Sequence, residues 1–332
     1  MIIAFDDSKN PLKFNRKGEL VYEDKIIRDL KLPFWKRNRL LKRLLRLEPR
    51  VCVFLNDSSF LMAYKRSIYK IDFKLSLIEK VCDSRAGFSD CLNFCRDGNS
   101  IFWGDYGNNS SLEKVNIYRF QDNKVNIVYS FPAQSIRHIH NIIYDDYRKG
   151  YWILTGDTEK DAGIYFATKD WEVKSILVGE QKYRAVVAFP TPSGLIYATD
   201  AVNTDNYIYL LNAENQKIRA ITPLNGSCIY GSEIKDKFYF STTVEPEEGR
   251  GFLNLLSYKL GKGIKSRFCQ VISIDKKIFE KKIELSLKKD WLPMKLFQYG
   301  TVKFPSNQNN LKNIYVTPIA TKRFDGNTIK LN

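Results

Sequence analysis

An Ile-Tyr pair returns along the chain at Ile68-Tyr69, Ile117-Tyr118, Ile164-Tyr165 and Ile208-Tyr209, in steps of 49, 47 and 44 residues. Leu255-Leu256 lies 47 residues after Ile208 and fits a fifth copy, and Thr328-Ile329-Lys330 a sixth. Two strand-like runs precede each pair. The nearer one is aromatic-rich: Phe60–Tyr64, Ile101–Trp103, Tyr151–Leu154, Leu195–Ala198 and Phe238–Ser241. The farther one is Val51–Leu55, Cys91–Cys95, His138–Tyr144, Tyr183–Phe189 and Ser227–Gly231. A short polar turn and a fourth strand follow the pair. Four strands recurring every ~45 residues make the unit of an all-β propeller. One such unit cannot bury both of its faces, so several must pack in a ring. The count predicts five or six four-stranded blades in a single domain over residues 1–332.

Two segments stand outside the repeat. Residues 34–47 place Leu40, Leu41, Leu44 and Leu45 on one side of a predicted basic amphipathic helix. Lys36, Arg37, Arg39, Lys42, Arg43 and Arg46 fill the rest. Such a helix can lie on an anionic membrane surface, or pack on the domain edge with a solvated basic face. Residues 273–292 read as a Lys-rich insertion. The formal net charge of +16 points to an acidic partner. Nucleic acid is disfavoured, because the cations concentrate in the helix and in residues 259–289 rather than among aromatics on a sheet.

Met1–Asp7 lack the pattern of a secretion signal, and no apolar run has membrane-spanning length. The six cysteines form no C-x-x-C pair, so free thiols and a cytoplasmic location, peripheral to the inner membrane face, are the expectation.

Propeller connections alternate between two faces, which sorts the polar residues. The second-to-third-strand connections hold Asp105 and Asn108, Asp157, Asp200 with Asn206 beyond it, and Glu245. The connections between repeats hold Arg85, Arg137, His138, His140, Tyr183 and Arg184. All are expected at one rim, with His138 and His140 sharing a strand face. Convergent polar groups at a ring mouth define a candidate site. An H-x-H pair can supply two metal ligands, but no third is identifiable at metal spacing, so neither metal nor cofactor is assigned.

Two turns after the Ile-Tyr strand, Arg119–Lys124 and Ala167–Glu172, carry Asp122 and Asp170 at nearly the same offset. They resemble worn copies of the Asp box, S-x-D-x-G-x-T-W, of sialidase-like propellers, in which the aspartate locks a hairpin. The run from Arg137-His138-Ile139-His140 through Thr155-Gly156-Asp157 to Gln181–Ala185 is similar to propeller proteins of bacterial exopolysaccharide gene clusters. The resemblance implies an acidic or complex glycan as substrate. The arginine triad of sialidases has no match here, residue by residue.

On such a substrate Arg137, Arg184 and Arg85 would pair carboxylates, with Tyr183, Asp200, Asn206, Glu245 and Asn108 as further binding groups. His138 or His140 with Tyr144 or Tyr183 would serve a lyase; Asp105, Asp157, Asp200 and Glu245 would serve a glycosidase. A membrane-associated glycosyltransferase and a non-catalytic glycan-binding scaffold are the alternatives.

Overall fold

The computed structural model describes residues 1–15, 19–27, 38–75, 77–247, 255–309 and 311–331. Seven antiparallel sheets follow one another along the chain, six of four strands and a last one of three. They span residues 2–26, 51–83, 95–131, 139–178, 185–224, 228–288 and 301–331 and are called blades one to seven. The protein is therefore a seven-bladed β-propeller, not one of five or six blades.

The miscount has a structural cause. In blades two to five, the third strand slips its register against the fourth between the Ile and the Tyr of the recurring pair. The repeat thus marks a β-bulge, a feature that bends and twists a strand. Blade six has the same slip at Val271/Ile272, which is the true fifth copy. Leu255-Leu256 lie outside every strand. Residues 273–292 hold the end of the third strand and the fourth strand of blade six, so they are no insertion. The extra length lies between the second and third strands of that blade, Lys237–Thr242 and Phe268–Asp275. Blade one has no Ile-Tyr pair and escaped the count.

The hydrophobic core is a ring of layers between adjacent blades. Phe54, Phe60 and Tyr22 join blades one and two; Trp103 and Ile68 join two and three; Phe102, Ile117 and Ile153 join three and four. Leu154, Tyr197 and Leu195 join four and five, Phe240 and Ile208 five and six, Val271 and Val316 six and seven. Blade seven meets blade one through a parallel bridge, Ala4 to Ser306, with Phe5 N–H donating to Ser306 O at 3.0 Å. The Phe5 and Tyr315 rings pack beside it at 5.4 Å. A 450 Å³ cavity is lined by the first strands of blades three to six and by residues 304–307 and 309.

The segment expected to be a long basic helix forms only a six-residue helix, α1, Arg39–Leu44, capped by the Asn38 side chain; residues 34–37 lie outside the described residues. Its faces are the reverse of the domain-edge alternative. Arg43 is buried against Asp290 and the Phe297 carbonyl, while Leu40, Leu44 and Leu45 are exposed. Arg39 pairs with Glu48 and Asp325. Two of the helix's cations therefore clamp it to the ring. No helix among the described residues is long and apolar enough to cross a membrane.

The hairpin lock expected of Asp122 and Asp170 is made in other blades by ordinary Asx turns. Asp72, Asn212 and Asp275 end the third strands of blades two, five and six, and each accepts two backbone N–H bonds from the following turn. In blade four Thr168 takes that part by accepting the Glu172 N–H. Among the described residues no side-chain hydrogen bond is found for Asp122 or Asp170; the Asp122-Asn123 turn is held by positive φ at both positions.

Candidate active site at the ring mouth

The first strand of blade four begins at Ile139, so His138 precedes it. Ile139 pairs with Thr155 and Asn141 with Leu154, which leaves His140 as the extra residue of a β-bulge. The two rings converge through that bulge rather than through plain strand alternation. His138 Nδ1 donates to the Gly107 carbonyl at 2.7 Å and His140 Nδ1 to the Ala185 carbonyl at 2.9 Å. With both Nδ1 atoms committed to carbonyls, the rings turn their Nε2 atoms toward each other, 3.0 Å apart. Both side chains are 2% exposed. Burial lowers the pKa of His140, which keeps it neutral.

Asp157 completes the group. Its carboxylate oxygens lie 3.6 Å from His138 Nε2 and 3.5 Å from His140 Nε2, and it is the exposed member, at 35%. Burial alone would raise its pKa, but the two imidazoles and Arg184 outweigh this and hold it far below the usual carboxylate range. Arg184 donates from Nη1 to the Asp157 carbonyl at 2.9 Å and reaches its carboxylate at 3.1 Å and that of Asp200 at 3.6 Å. Asp200 is buried; desolvation, with Glu245 and Asp157 nearby, pushes its carboxyl well up. Glu245 accepts from Ser227 and Thr243. His138, His140, Asp157, Arg184, Asp200 and Glu245 thus gather at one mouth. The third donor absent from the sequence spacing is Asp157, delivered by the neighbouring loop, and the three side chains could hold a cation.

The other expected site residues lie elsewhere or serve the frame. Tyr144 stands about 13 Å along its strand from His140, at ~3.3 Å per residue, packed on Tyr151 and Lys169. Arg137 turns away to Asp161. Asp105 pairs with Arg85 and accepts from Asn116 and Tyr118, between blades two and three. Asn206 is 1% exposed and ties its own loop through Ala201 and to the blade-six loop through Gly263. Tyr183 is buried and donates to Glu180. Asn108 is exposed on the blade-three loop.

A second set was missed. Arg46, Arg50, Arg66 and Lys303, with Tyr230 and Tyr299, line a 280 Å³ cavity at the same mouth. None of these four cations is in an ion pair among the described residues. Arg50 covers the Tyr106 ring at 4.7 Å, and the His138 ring lies 4.6 Å from that of Tyr106. Burial raises the Tyr106 and Tyr299 hydroxyls, so both stay protonated. Arg46, Arg50 and Arg66 stand in connections before or inside blade two, which the sequence reading attached to no rim.

No family model and no curated protein matches the chain. Solved structures do. The extracellular domain of a B. thetaiotaomicron one-component system superposes with a TM-score of 0.58 at 11% identity, over 99% of this chain and 37% of that one. Kuenenia stuttgartiensis hydrazine synthase gives 0.53 at 11%, over 79% and 71%. Oligogalacturonate lyase of Vibrio parahaemolyticus gives 0.48 at 10%, over 76% and 72%. At such identities the likeness is one of fold. It sets the chain among the β-propellers, without a sialidase or Asp-box relative among the three.

Proposed function

We propose that the protein binds an acidic polysaccharide at the ring mouth and cleaves it by β-elimination. The observation that carries this reading is the cavity whose four cations, beside Glu48 and Asp90, have no ion pair among the described residues, separated by Tyr106 from two imidazoles whose Nε2 atoms face each other. Exposed ion pairs contribute only ~0–1 kcal/mol each, so a string of carboxylates meeting several arginines is what such a surface selects. Tyr230 and Tyr299 offer flat faces for sugar rings.

In the elimination, an imidazole Nε2 takes the proton beside the uronate carboxylate. The bond from the adjacent carbon to the leaving oxygen breaks, and a carbon–carbon double bond forms between the two carbons. The leaving oxygen takes a proton from a tyrosine hydroxyl, Tyr106 or Tyr299. Arg50 pairs the carboxylate whose charge builds in the transition state.

The test is incubation with a panel of uronate polymers, followed by ultraviolet absorbance of the unsaturated uronate. Growing absorbance that disappears in His140→Gln supports elimination. New reducing ends without absorbance would mean hydrolysis and would overturn this chemistry.

A further inference from the structure

We infer that His138, His140 and Asp157 together bind a divalent first-row transition-metal cation at the ring mouth. The inference goes beyond the glycan reading and stands on the geometry of the three donors alone. The two Nε2 atoms face each other across 3.0 Å, and both rings are fixed in that attitude by their Nδ1 bonds to backbone carbonyls. Such a contact is made either by a proton on one nitrogen or by a cation shared between both. Two nitrogen ligands held cis on one cation at ~2.1 Å stand ~3.0 Å apart, which is the separation seen. On that same cis geometry the carboxylate oxygens, 3.5 and 3.6 Å from the nitrogens, stand roughly 0.5 Å wide and would close on the ion. All donor atoms fall within 4.8 Å of one another.

The surroundings are those of a ligand set. Metal-binding histidines donate their other ring N–H to a carbonyl or carboxylate, which fixes tautomer and orientation; here both do so to carbonyls. Asp157 is in turn held by Arg184 through both its carbonyl and its carboxylate. Two imidazoles and one carboxylate suit Mn, Fe, Co or Zn better than Ca or Mg, which prefer all-oxygen shells. The exposed Asp157 leaves coordination positions facing the mouth. A loaded centre offers charge to an arriving carboxylate and no longer a base, so loaded and stripped protein differ in chemistry.

The test needs no glycan, so its failure is separate from failure of the lyase reading. The full chain is stripped with a chelator and titrated calorimetrically with Mn²⁺ and with Zn²⁺, and bound metal is counted by mass spectrometry. One equivalent per chain is expected. His140→Gln should abolish it, and Asp157→Asn, on the exposed side, should weaken it at least tenfold; circular dichroism confirms that each variant is folded. Absence of saturable binding, or binding equal in both variants and wild type, overturns the inference. So does an Nε2-bound proton, distinguished from the Nδ1 protons by nitrogen-15 labelling, that survives saturating cation, because a shared proton then occupies the gap.

Discussion

Gly107 shows how one residue sets the centre. Its φ of +149° belongs to the region that favours glycine, and an added Cβ would meet the Ser89 backbone nitrogen at 2.9 Å. Its carbonyl receives the His138 N–H. Gly107→Ala should therefore cost about 1–3 kcal/mol by urea unfolding, and should shift the imidazole resonances of both histidines. A loss under ~0.5 kcal/mol with unmoved resonances would show that the carbonyl does not position the pair. The histidines themselves were legible as a pair because only two exist and they stand two apart. Their partner Asp157 was legible only as a rim residue, since a distance across a loop is not written in spacing. The outward turn of Arg137 was hidden too, because it depends on Asp161, a loop residue with no local signal.

Two elements carry predictions. The hairpin between the first and second strands of blade four is built on Asp145, fully buried, which accepts from Trp152, Arg148 and two backbone N–H groups. Asp145→Ala removes the acceptor of all four bonds and leaves Arg148 only the Thr191 and Pro192 carbonyls. It should cost about 3–5 kcal/mol, read as a fall in the urea midpoint at constant slope; a near-neutral result would deny the hairpin its anchor. The second element is α1, clamped through Arg43 and Asp290. Burial raises the Asp290 carboxyl, but Arg43 and Lys289 outweigh this and the net shift is downward. A depressed carboxyl contributes stability above its unfolded pKa, ~3.9, and loses it as pH falls through the folded value. The melting-temperature gap between wild type and Asp290→Asn should therefore be widest at neutral pH and close below about pH 4. A gap independent of pH would contradict the clamp. Leucine spacing predicted this helix but not its orientation. Burying a guanidinium is favourable only when carboxylates from distant blades meet it, and Asp290 and Asp325 lie about 250 and 280 residues away in sequence.

For the whole molecule, periodicity revealed the architecture but not the number of blades. The Ile-Tyr pair reports a bulge, and blade six makes the same bulge with Val271 and Ile272, which no residue-type search would match. Closure was equally invisible, because it rests on one parallel bridge between the chain's two ends rather than on a shared strand. A ring closed this way should not survive loss of a blade. Truncation at residue 300 would bare the inner strands of blades one and six, and the product should be aggregated or unfolded; a cooperative monomeric transition would contradict the seven-blade closure.

The ring matters to function because it brings loops from blades three to six to the imidazoles and sets the residue 46–66 segment and Lys303 of blade seven beside them. The most direct measurement is calorimetric titration of the intact protein with two oligosaccharides of equal length, one of uronates and one neutral. The account predicts saturable binding of the acidic chain alone, weakened at least tenfold in Arg50→Ala and by added salt. Equal affinity for both, or acidic binding untouched by Arg50→Ala, would contradict it.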